Sequence, residues 1–192
     1  MNTTRASLLI RVKNPRDTQA WSQFYDLYGP LLFRYARSKG LSHEDAEDVQ
    51  ATCYEQIVRQ IRHFDYDKQR GGFKAWLRTL VARRVIDLLR KHREPIADSH
   101  DLELASDPEP GPDELWEQHW KQQHLRYCVE LVRQDVSPQI FEAFQLLMQD
   151  GWSVPAVCTR LGMNANQVYK AKARVLELVR ERMAALYSEV DQ

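Results

Sequence analysis

Apolar residues recur along this chain at steps of three and four, and they nowhere alternate long enough to make a strand. Trp21, Phe24, Tyr28, Leu32 and Tyr35 keep a helical step, with a restart or kink expected at Gly29-Pro30 and a C-terminal stop at Gly40. Ser42 opens the next helix. Glu44, Asp45, Glu47 and Asp48 crowd its first turns, where the helix dipole favours anions, and Ala46, Val49, Cys53, Ile57 and Ile61 form its inner stripe. The stretch 64–72, FDYDKQRGG, interrupts the pattern and predicts a loop. Phe73, Leu77, Leu80 and Val81 then start a third strong helix. Its stripe fails at Arg84, which leaves open whether the second half packs from another side or Arg84 reaches to solvent.

The stretch 95–114 has no apolar period and contains Pro95, Pro108, Pro110 and Pro112, so it reads as a linker. Beyond it, Trp116, Trp120, His124 and Tyr127 begin another helix. Ser137-Pro138 is a good cap and first-turn pair for a segment carrying Ile140, Phe141, Phe144, Leu147 and Met148, ending near Asp150-Gly151. A short helix from Ser153 to Leu161, a turn at Gly162 and a capping pair Asn164/Gln167 lead into a long final helix, a helix-turn-helix signature. The expected fold is all-α: helical domains over 1–94 and 115–192, joined by the acidic, Pro-rich linker 95–114.

Charge sharpens this division. The 192 residues hold 27 Lys plus Arg and 27 Asp plus Glu, a balance that taken alone argues against a nucleic-acid binder. Distribution matters more than the sum. From Lys68 to Arg93 nine bases face one acid, Asp87, whereas from Glu94 to Glu117 there is no Lys or Arg at all. The three cysteines, Cys53, Cys128 and Cys158, form no metal-ligand spacing and read as buried thiols of a reducing compartment. No apolar run approaches the roughly 20 residues that span a bilayer, and the N-terminus is not a signal peptide, so a cytoplasmic protein without a membrane partner is expected. No nucleophile-base pair, P-loop or ligand cluster suggests an enzyme or a cofactor.

Two places carry candidate chemistry. In the final helix, phased on Val168, the residues Gln167, Lys170 and Arg174 lie opposite the core face Val175, Val179, Met183 and Leu186. Asn166 sits at the polar edge and Lys172 nearer the core. Gln and Asn pair with adenine, Arg and Lys with guanine or phosphate, so this face suits a major groove; an ordinary solvated helix face has the same spacing. In the block from Asp65 to Arg93, Tyr66, Phe73 and Trp76 are interleaved with Lys68, Arg70, Lys74 and Arg78, as unpaired bases held by stacking would require. Phe73 reads as core. Trp76 stays open between core and base stacking, and the loop around Gly71 between base capture and a plain turn.

The segment FDYDKQRGGFKAWLRTLVARRVIDLLRK resembles the promoter −10 binding region of sigma factors of the extracytoplasmic-function (ECF) class. LSHEDAEDVQATCYEQIVRQIRHFD is similar to their polymerase-docking helix, and FEAFQLLMQDGWSVPAVCTRLGMNANQVYKAKARVLELVRERM to their −35 binding domain. The resemblance implies a non-enzymatic subunit that joins RNA polymerase core at its clamp and flap, melts and reads the −10 element, and reads the −35 element. It assigns −10 contacts to Asp65, Tyr66, Lys68, Arg70, Gly71, Lys74, Trp76, Arg78 and Arg83. The −35 contacts fall to Asn164, Asn166, Gln167, Tyr169, Lys170, Lys172 and Arg174, and clamp docking to Asp48, Ala51, Thr52 and Glu55. Any anti-sigma partner would be a separate chain. The sequence departs from many members at Ala51-Thr52, where they carry Gln-Glu, and at Arg83-Arg84, where they carry Asn and an apolar residue. A stand-alone helix-turn-helix regulator is the alternative; it leaves the block 64–93 without a role.

Overall fold

The computed structural model describes residues 5–64, 72–93 and 114–188. Among them are eight α-helices and no strand: α1 (Arg5–Val12), α2 (Thr18–Ser38), α3 (His43–Gln60), α4 (Gly72–Arg93), α5 (Glu114–Asp135), α6 (Pro138–Met148), α7 (Val154–Leu161) and α8 (Ala165–Ser188), with a 3-10 turn at Ile61–His63. The chain divides into two compact units, one spanning Ser7–Gln123 and the other containing His124 onward.

In the first unit α2, α3 and α4 pack on one another. The starts of α2 and α3 have local causes. Asp17 accepts from the Ala20 amide at 2.9 Å to cap α2 and is itself held by Arg11 at 2.8 and 2.9 Å. Ser42 accepts from the Asp45 amide at 3.0 Å to cap α3. Gly40 adopts φ 91° just past the end of α2, a left-handed stop that a side chain would strain. The core is aromatic: the Phe73 ring lies 5.9 Å from Phe24, 5.1 Å from Tyr28 and 5.5 Å from Trp76. Helix α1 is not revealed by the apolar pattern; its Leu8, Leu9 and Val12 are buried and Ile10 is exposed.

Two expectations are narrowed or corrected. Of the restart or kink expected at Gly29-Pro30, the restart is absent: helix α2 runs through both residues. Gly29 is buried where α2 meets α3, and a Cβ added there would stand 3.0 Å from Gln50 Nε2, so the missing side chain permits the close approach. The second domain does not begin at 115 either. Residues of α5 up to Gln123 belong to the first unit, because Trp116 stacks edge-on against Tyr35 at 5.2 Å and Trp120 lies 5.7 Å from Tyr28. Both tryptophans are fully buried. At roughly 25 cal/mol per Å² such anchors outweigh the entropy of ordering a few side chains. Of the expected linker 95–114, residues 95–113 lie outside the described residues and Glu114 begins α5.

In the second unit Cys128 and Val132 of α5 share a core with Phe141 and Phe144 of α6 and with Val175, Val179 and Leu186 of α8. A second cluster, Ala143, Val157, Val168 and Ala171, joins α6, α7 and the start of α8. Arg182 reaches Asp135 at 2.6 Å, tying α8 to the end of α5.

Candidate nucleic-acid interface

The geometry at the start of α8 follows from local chemistry. Ser153 caps α7 and Pro155 occupies its first turn, where no amide is needed. Gly162 takes φ 65° and ends α7, and the Met163 amide returns to the Cys158 carbonyl at 3.1 Å. The chain then enters α8 through a reciprocal pair: the Gln167 amide donates to Asn164 Oδ1 at 2.9 Å and the Asn164 amide to Gln167 Oε1 at 2.8 Å. α7 and α8 are fixed to each other by Val157, Val168 and Ala171.

That arrangement leaves one side of α8 open. Asn164, Asn166, Gln167, Lys170 and Arg174 are exposed, and Tyr169 is 57% exposed; Lys172 is half-buried, as its nearness to the core face suggests. The capping bond occupies the Gln167 carbonyl oxygen and leaves its amide group as a donor. Arg174 lies 3.0 Å from Glu177 on the surface, a pair too exposed to hold it strongly.

In the first unit the bases are arranged differently. Of the predicted −10 residues, Asp65, Tyr66, Lys68, Arg70 and Gly71 lie outside the described residues. Phe73 is 2% exposed and is core, as read from the sequence. Trp76 is half-buried, with its ring 5.0 Å from Phe64, so it is partly core and partly accessible. Arg78 is half-buried and Arg83 exposed. Lys74 is not an unengaged cation: its Nζ lies 2.5 Å from both carboxylate oxygens of Glu117 and 5.4 Å from the Trp120 ring centre. Sequence reasoning missed this engagement, although the four-residue step Trp116–Trp120 was a sign that α5 has an inner face of its own.

The docking candidates on α3 divide between two sides. Ala51 and Glu55 are exposed with Glu44 and Glu47, opposite the stripe Ala46, Val49, Cys53 and Ile57. Thr52 is half-buried. Asp48 stands at the flank and pairs with Arg84 of α4 at 2.7 Å, and one turn earlier Asp45 lies 3.3 Å from His92. The hydrogen bond from Ser42, helped by the charge of His92, holds the Asp45 carboxyl below its ordinary range. The irregularity at Arg84 now has its cause. The buried stripe continues through Val81, Val85 and Leu88, and Arg84 leaves it sideways for Asp48. Burial pushes the Cys53 thiol up to about 12 despite the neighbouring Arg84. Among the described residues no helix is long and apolar enough to cross a membrane.

Residues 24–94, which hold most of α2 and all of α3 and α4, match the Sigma-70 region 2 family. The chain is 29% identical over 167 residues to the ECF RNA polymerase sigma factor SigK of Mycobacterium sp. (strain KMS), covering 84% of this chain and 82% of the relative. It is 27% identical over 119 residues to the ECF RNA polymerase sigma factor RpoE of Cereibacter sphaeroides, covering 60% and 61%. A SigK from Mycobacterium tuberculosis is 35% identical over 89 residues, 44% of this chain and 43% of the relative. Over most of its length the chain is thus similar to RNA polymerase sigma factors of the ECF class.

Proposed function

We propose that this chain is a sigma factor that binds RNA polymerase core through the exposed face of α3, captures and melts the −10 element with residues 65–71 and α4, and reads the −35 duplex with α8. The sorting of charge carries the reading. A chain with zero formal net charge gathers Lys170 and Arg174 beside Asn166, Gln167 and Tyr169 at the open start of α8, and sets its acids, Glu44, Glu47 and Glu55, on the outer face of α3. Polar donors on a helix that follows a short capped helix and a tight turn suit base edges in the major groove. An acidic face with Ala51 at its centre suits a basic protein surface.

The −10 surface would take Trp76, Arg78 and Arg83 from α4 and, from the chain just before it, Asp65, Tyr66, Lys68, Arg70 and Gly71. Lys74 joins that surface once Glu117 is displaced. Trp76, half-covered by Phe64 and Phe73, keeps part of its ring for a base. A separate anti-sigma chain would compete for these same surfaces. The test is gel filtration of the purified full chain with core polymerase: co-elution as a one-to-one complex is expected, and separate elution refutes the docking reading.

A further inference from the structure

We propose that Arg84 is a positioning residue for polymerase docking: from the −10 helix α4 it fixes the Asp48 carboxylate of α3 at the edge of the docking face. The inference rests on the reading of α3 as the docking helix and adds to it a residue outside that helix.

Three observations carry it. Arg84 sits where the apolar stripe of α4 predicts a hydrophobic side chain, between Val81 and Val85, both buried. Its Nε is buried without a hydrogen bond, which is unfavourable for a charged group unless a counter-charge is held close. That counter-charge is Asp48 Oδ2 at 2.7 Å. The burdens of the pair are unequal: the Arg84 side chain is 31% exposed and Asp48 54%. Arg84 is thus the inner, anchored partner, and Asp48 is the outer one, with its second oxygen left for a partner. A carboxylate held by one oxygen meets an incoming cation with fewer rotamers to lose. The flank is built of the same elements one turn earlier, where Asp45 faces His92, with Lys91 adding positive charge nearby. A residue on the −10 helix thereby sets the geometry of the docking helix.

The experiment measures affinity of the labelled full chain for core polymerase, with the thermal midpoint of each free variant as the control. Asp48→Asn and Glu55→Gln should each weaken binding, Asp48→Asn by about tenfold. Arg84→Met should also weaken it, and Arg84→Met with Asp48→Asn should bind no worse than Asp48→Asn alone, whereas Arg84→Met and Glu55→Gln should add. The exchanged pair, Arg84→Asp with Asp48→Arg, should recover the thermal midpoint but not the affinity. A purely structural pair would recover both, and that result overturns the proposal, as do independent losses from Arg84 and Asp48. If Arg84→Met does not fold, Arg84→Lys replaces it with the same expected coupling to Asp48. Unchanged affinity in both Asp48→Asn and Glu55→Gln removes the docking reading itself, and this inference with it.

Discussion

Gln123 Nε2 donates to the main-chain carbonyl of Asp26 at 3.3 Å, the carbonyl that Pro30, four residues on, cannot serve. Proline in a helix interior removes one donor, and the orphaned acceptor four residues back must find another. Here it finds one on α5, while the Gln123 Oε1 accepts from Arg34 of the same α2. The bond explains how α2 runs unbroken through Pro30 and why a buried glutamine ends the part of α5 that belongs to the first unit.

Gln123→Leu should therefore destabilise the protein by about 1–3 kcal/mol, the cost of a buried group left unpaired. Adding Pro30→Ala, which restores an amide at position 30, should recover part of that loss. Urea denaturation of the two single variants and the double variant measures the coupling; independent effects would mean that the contact does not serve the proline.

Much of this architecture is legible in the sequence because its causes are local. Ser42, Ser137 and Ser153 each cap the helix they precede, and Asn164 pairs with Gln167 as the spacing suggests. The phase of α8 is right for the same reason: Val168, Val175 and Val179 are periodic enough to fix which side is buried. What the sequence hides depends on contacts between distant segments. Lys74 and Glu117 stand 43 positions apart, Arg84 and Asp48 36 apart, and Gln123 and Asp26 97 apart. No periodicity within a helix encodes such pairs. The engagement of Lys74 and the failure of residue 115 as a domain start have one cause, since α5 brings Glu117, Trp116 and Trp120 onto the first unit.

The turn before α8 sets the stability of the second unit. Asn164→Ala removes one half of the reciprocal cap and should cost about 1 kcal/mol. Gly162→Ala places a side chain at φ 65° and should cost about 1–2 kcal/mol through strain, since open space surrounds the position. Chemical denaturation followed by far-ultraviolet circular dichroism checks both. No change in either would mean that the turn is not fixed as described.

The exposed face of α8 should separate binding from folding. Lys170→Ala and Arg174→Ala are surface truncations, and each should leave the free energy of unfolding within about 0.5 kcal/mol of wild type. Each should also lower transcription from promoters that keep a −35 element by several-fold. Promoters that do not depend on the −35 element should be less affected. Equal activity of both variants on both promoter types would make the face merely solvated.

Cysteine chemistry offers a pH test. Burial pushes the thiols of Cys53 and Cys128 from 9.0 up to about 12, so the folded chain holds those protons more tightly than the unfolded one. Their contribution to stability is present below pH 9 and is lost as pH rises toward 12. At neutral pH iodoacetamide should label the half-buried Cys158 first and reach Cys53 and Cys128 only on unfolding. Peptide mass mapping reads the order, and rapid native labelling of Cys53 would contradict its burial.

Run-off transcription with purified core polymerase is the most direct measure of the central claim that separate surfaces of this chain dock the enzyme and read promoter DNA. Core supplemented with the full chain should yield a transcript of defined start from a promoter carrying its −35 and −10 elements, and core alone none; a chain that leaves core silent on every promoter fragment offered would contradict it.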